Sequence, residues 1–153
     1  MEFITNRTVR DVQLADAARM VKVQKGKPLN QDDIKHLKRG TCTIETLNRL
    51  ELNAETLTKT LRDEFYFVNI EPRVTWEYIG IFDEGDHRRF LNKIDTLNSF
   101  WNGANADPTP NYMFSWQNMN TIENILLTIF NGINNMIANQ QICGTFNCGD
   151  ENN

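Results

Sequence analysis

The chain alternates between stretches with apolar residues every three or four positions and stretches where that rhythm breaks. The clearest stripe is Leu47, Leu50, Ala54, Leu57 and Leu61, at intervals of three, four, three and four, with Thr43 placed to cap it. A second runs through Phe90, Ile94, Leu97 and Trp101 and stops at Asn102-Gly103. The third and longest carries Met119, Ile122, Leu126, Ile129, Ile133 and Met136 behind Ser115, and Ile125, Leu127, Phe130 and Ile137 widen it. These predict helices over about 43–63, 86–101 and 115–139, the last buried on more than one side.

Two weaker helices precede them. Residues 8–25 open with Thr8 and Asp11 at capping-box spacing and place Val9, Val12, Ala15 or Asp16, Met20 and Val23 at near-helical intervals before Gly26. Asn30, then Gln31-Asp32-Asp33, with Ile34 and Leu37 and a basic end before Gly40, predicts a short connector helix. Residues 65–70 and 74–81 are aromatic and β-branched, separated by Pro72, and predict extended segments between the third and fourth helices. Pro108 and Pro110 make 104–111 a loop. The glycine-punctuated stretch 142–149 and the first four residues lean towards β-structure. The expected fold is therefore mainly α: a small helical bundle over 1–141 with short β segments at the termini and between the third and fourth helices, and a strand-like tail over 142–153.

The three strong helices share a motif. Asn48-Arg49-Leu50-Glu51, Asn92-Lys93-Ile94-Asp95 and Asn120-Thr121-Ile122-Glu123 each read Asn, any residue, Leu or Ile, acid. Nine residues after each Asn comes an apolar residue, Leu57, Trp101 or Ile129. Each unit offers the same packing face beside the same polar shoulder, and one such helix cannot bury its face alone. Three can seal against each other.

Composition narrows the function. With 153 residues, 40% hydrophobic and 24% charged, the chain has ordinary globular usage. A net charge of −4 with scattered lysines and arginines gives no nucleic-acid footprint. No apolar run approaches the roughly 20 residues of a membrane span, and 1–10 lacks a signal-peptide layout, so synthesis and folding in a cytoplasm are expected. Three cysteines, with Cys42 far from Cys143 and Cys148, do not make a disulfide framework, and reduced thiols are expected.

Candidate chemistry is thin. His36 and His87 lack zinc-protease spacing. Asp83-Glu84-Gly85-Asp86 before His87 is read as acids favoured by a helix N-terminus rather than as a metal cluster. Cys143 and Cys148 have no second ligand pair, and Lys22 to Lys27 lacks the first glycine and the Ser or Thr of a phosphate loop. No catalytic, cofactor or metal residue is expected, and the chain is expected not to be an enzyme. Trp76, Tyr78, Trp101, Tyr112, Phe114 and Trp116 flank the helices, as bundle-end plugs or as an anchor surface.

The order of these features, from Ile4-Thr5-Asn6-Arg7-Thr8-Val9-Arg10-Asp11-Val12 through Thr46-Leu47-Asn48-Arg49-Leu50-Glu51, Pro72-Arg73-Val74-Thr75-Trp76 and Met119 to Leu126, to Cys143-Gly144-Thr145-Phe146, resembles small structural proteins of the tail modules of phages and prophages of Gram-positive bacteria. The closing stretch departs from that pattern, with Thr145-Phe146-Asn147-Cys148 in place of a Gly-Glu-Ile-Tyr-like strand. The resemblance implies a virion component in the tail or baseplate, without cofactor, homo-oligomeric in the particle and bound to other tail, baseplate or fibre-attachment proteins. β-Leaning ends can add a strand to a neighbour's sheet, which makes Phe3, Ile4, Ile142, Thr145 and Phe146, with the aromatic pair Trp76 and Tyr78, the expected partner-binding residues. The competing expectation is a phage- or prophage-encoded regulatory or anti-host protein acting through a helix-in-groove contact.

Overall fold

A computed structural model describes residues 1–64, 75–76, 84–103, 106, 108–112 and 114–143. The elements are α1 (Val9–Lys25), α2 (Gln31–Gly40), α3 (Ile44–Glu64), α4 (Glu84–Asn102) and α5 (Trp116–Cys143). They form two layers of organisation: a three-helix bundle of α3, α4 and α5, each packed on the other two, and an α1–α2 hairpin that forms an arm.

The bundle follows from the stripes. Leu47, Leu50, Leu57 and Leu61 from α3, Phe90, Ile94 and Leu97 from α4, and Ile122, Leu126, Ile129 and Ile133 from α5 are all essentially without solvent contact and form one core. The ring of Trp101 lies over Gly132, where a Cβ would come within 2.2 Å of Trp101 Cζ2. That glycine is what lets the end of α4 approach α5.

The arm is built differently. Both helices start with a capping box: Asp11 N–H donates to Thr8 Oγ1 at 3.4 Å and Thr8 N–H to an Asp11 carboxylate oxygen at 2.7 Å, and Asn30 and Asp33 repeat the exchange at 2.7 and 3.1 Å. Gly26 ends α1 with φ of 60°, a left-handed turn that costs a side-chain residue strain. The two helices touch through small residues: Ala15 and Ala18 are buried, and a Cβ on Gly40 would meet the Asp11 carbonyl oxygen at 2.0 Å.

Val9 and Met20, expected on the apolar face of α1, are 58% and 49% exposed. Close backbone approach at alanine and glycine leaves no room for longer side chains between the helices, so the periodic valine and methionine positions fall outside the contact.

The expected β segments are not seen: no described residue lies in a strand. Residues 1–8 are non-helical and lie against the bundle without a ladder. At the other end, Ile142 and Cys143 belong to the last turn of α5, because Asn139-Gln140-Gln141 does not interrupt a helix and the first breaker is Gly144. Nearly all of the expected pair 65–70 and 74–81 lies outside the described residues, as do Tyr78, Thr145 and Phe146. Among the described residues no helix is long and apolar enough to cross a membrane.

Truncating Ile129, fully buried in the core that the three bundle helices share, to Ala should cost about 2–5 kcal/mol. Denaturant unfolding should show the midpoint fall with the slope unchanged. A loss below about 1 kcal/mol would mean that the stripe is not sealed as described.

Candidate functional site: backbone clamps over buried carboxylates

The motif shared by the three bundle helices acquires a chemical meaning in three dimensions. Asn120 on α5 holds the main chain of Arg7 with both ends of its amide: Arg7 N–H donates to Asn120 Oδ1 at 3.0 Å, and Asn120 Nδ2 donates to the Arg7 carbonyl at 2.9 Å. Asn48 on α3 does the same to Trp76, at 2.8 and 3.0 Å. One amide matches one residue's donor and acceptor, so each clamp grips extended backbone without reading its side chain.

Three residues further along each helix, on the same face, sits the acid of the motif. Glu123 and Glu51 both have no solvent exposure. A carboxylate taken from water that far must be paired. Glu123 receives Arg7 Nη2 at 2.6 Å, Arg49 through both terminal nitrogens at 2.6 and 2.8 Å, and Ile4 N–H at 2.6 Å. Glu51 receives Arg89 at 2.7 Å and Lys93 at 2.5 Å. Each buried acid thus draws two cations.

The second motif position supplies one of them every time. Arg49, from α3, crosses to the acid of α5, and Lys93, from α4, crosses to the acid of α3. The relation is cyclic around the bundle, and its third step would join position 121 of α5 to Asp95 of α4. Position 121 is threonine, whose hydroxyl donates to the Gln117 carbonyl instead. Asp95 is exposed and makes no ion pair among the described residues.

The straps themselves are held at further points. Arg49 and Asn53 of α3 both donate to the Glu2 carbonyl, at 2.7 and 2.9 Å, so residues 2–7 bridge α3 and α5. Phe3 lies against Phe130 with centroids 5.6 Å apart. Trp76 bridges α3 and α4, with the Arg89 guanidinium 5.7 Å above its ring.

Burial pushes the Glu123 carboxyl up, but the hydrogen bonds from Arg49 and Ile4, the charge of Arg49 and the bond from Arg7 together bring it below the ordinary 4.5. Burial likewise drives the nearby Cys42 thiol up to about 12, with Arg7 pulling it down and Glu123 adding to the rise. A thiol so placed is inert at neutral pH.

The expected partner-binding residues fall into two groups. Phe3, Ile4 and Trp76 are brought together with the bundle, as parts of straps gripped within the chain. Ile142 is set apart from them in the last turn of α5, while Tyr78, Thr145 and Phe146 lie outside the described residues. Sequence reasoning missed the working residues Arg7, Asn48, Glu51, Asn120 and Glu123. For all but Arg7 the signal was present in the repeated Asn and acid, which periodicity alone assigns to a solvated shoulder.

Around His87 there is an aromatic cluster, stacked on Phe114 at 5.3 Å and edge-on to Tyr112 at 5.8 Å. Desolvation lowers the affinity of this imidazole for a proton, against the pull of Glu84. Glu84 and Asp86 occupy the first turn of α4, where the helix dipole favours them. No group of three or more metal-binding side chains occurs among the described residues. No protein-family model, curated protein or solved structure matches the chain.

Replacing Glu123 by Gln leaves two guanidinium groups and should cost about 3–5 kcal/mol, read by chemical denaturation. Because the folded-state pKa is depressed, the contribution of Glu123 is complete above 4.5 and is lost as pH falls through the lower folded value. The wild type should therefore lose stability faster than Glu123→Gln below about pH 4.5. Parallel acid limbs for the two proteins would refute the pairing.

Proposed function

We propose that this chain is a non-enzymatic assembly protein, a scaffold that organises extended polypeptide against a helical bundle. The observation that carries the reading is the pair of amide clamps: Asn48 and Asn120 hold the backbones of Trp76 and Arg7 in the same way, from equivalent places on two helices. Main-chain recognition of extended segments is a mode by which assembly proteins join neighbours while tolerating sequence variation.

The setting proposed is the tail or baseplate of a tailed phage, which rests on the resemblance described above. The partners would then be other tail, baseplate or fibre-attachment proteins and further copies of this chain. Several weak contacts repeated by symmetry would give the avidity such particles need.

Mass spectrometry of purified particles from a strain carrying the gene tests the setting. The polypeptide should be present at a stoichiometry fixed relative to known tail components. Its absence from particles, together with a monomeric mass in native mass spectrometry, would sink the proposal and leave a free-standing regulatory binding protein as the better account.

A further inference from the structure

Two of the three repeat units are filled, and the third is open. Asn92 stands where Asn48 and Asn120 stand, but its amide is exposed and no described residue bonds to it. Asp95 stands where Glu51 and Glu123 stand, but it is exposed and no described residue offers it a cation. Both line a groove of about 420 Å³ between α4 and residues 109–111 of the connection to α5. A volume of that order accommodates a short piece of extended chain.

The reason the unit stays open can be read from the residues. Thr121 replaces the cation that α5 would send to Asp95 under the cyclic rule. The connection that passes the groove is interrupted by Pro108 and Pro110, neither of which has an N–H to offer a clamp. Thr109, between them, also lines the groove, and its hydroxyl oxygen is shielded from solvent without a hydrogen-bond partner. Of the charged side chains there, Arg88 is already engaged by Glu84 at 2.7 Å. Asp95 is the acid left unmatched.

We infer that the Asn92 groove is a binding site for an extended peptide segment of a partner protein, one that carries an arginine or lysine at the clamped residue. The chemistry of the occupant is set by the filled copy on α5. There a single residue, Arg7, gives its N–H and C=O to the asparagine and its guanidinium to the acid three positions on. In the open copy the same residue type would give its backbone to Asn92 and its charge to Asp95. This inference rests on reading the bundle as a scaffold for extended segments, and it is independent of the phage setting.

The test uses the full chain, labelled with 15N, and a capped peptide copying residues 3–9 of this sequence, the segment that the filled clamp holds. Addition of the peptide should shift the Asn92 side-chain amide resonances. Asn92→Ala should weaken binding about tenfold or more, the loss expected for two main-chain hydrogen bonds. Asp95→Asn, or glutamine for arginine in the peptide, should weaken it several-fold and remove most of its salt dependence. Both positions are exposed, so the variants should keep the unfolding midpoint of the wild type.

Three results would overturn the inference. One is no shift at Asn92 with millimolar peptide. Another is equal binding to Asn92→Ala, which would mean exchange into the groove already used by Arg7. The last is an Asn92 amide slow to exchange before peptide is added, which would mean that the chain fills the site itself. Each leaves incorporation into particles untouched, so failure here is distinguishable from failure of the phage reading.

Discussion

A carboxylate with no access to water has to be matched by positive charge, and this bundle contains two of them. Glu51 and Glu123 dictate much of what surrounds them. Glu123 draws Arg49 across from α3 and Arg7 in from the strap, so the same oxygens fix the packing of α3 on α5 and the path of residues 2–7. Glu51 ties α4 to α3 through Arg89 and Lys93. Apolar burial supplies the cohesion of the bundle, but it is non-directional. The ion clusters choose which way the helices face and which segment covers each groove.

The two kinds of interaction divide the work by residue spacing. Leu57, Ile94 and Ile129 come from stripes that any sealed bundle would show. The Asn and the acid lie on the margin of those stripes, three apart, where a residue can reach either the solvent or a neighbouring groove. On α3 and α5 a strap covers that margin, and the pair is buried or half-buried. On α4 no described residue bonds to the side chains of the pair. The same four-residue pattern thus has two outcomes, decided by whether chain is available to lie across it.

Much of this architecture was legible in the sequence where the signal was periodic. The five helices, the capping box at Thr8, the helix start at Asn30, and the sealing of the Leu47 to Leu61, Phe90 to Leu97 and Met119 to Ile133 stripes follow from local rules. Three things were not legible. Small-residue contacts at Ala15, Ala18 and Gly40 have no hydrophobic amplitude, so the face of α1 was misplaced. The β-leaning character of the first residues reflected side chains such as Phe3, which packs on the bundle, where a strand partner was expected. The pairing of Glu123 with Arg7 spans more than a hundred residues, and no local pattern encodes it. The recurrence of the motif did point to the right residues, though it could not say that the asparagines grip backbone.

Cys42 is half-buried against the bundle core, and burial, with Glu123 adding to the rise against the pull of Arg7 and Arg49, drives its thiol up to about 12. An alkylating reagent attacks the thiolate, and a thiol raised this far holds little of it at neutral pH. The rate at which Cys42 is modified therefore reports local opening of the packing around it, in the manner of an exchangeable proton guarded by local unfolding. The chain carries, one residue from the cap of α3, its own gauge of how tightly that end of the bundle is packed.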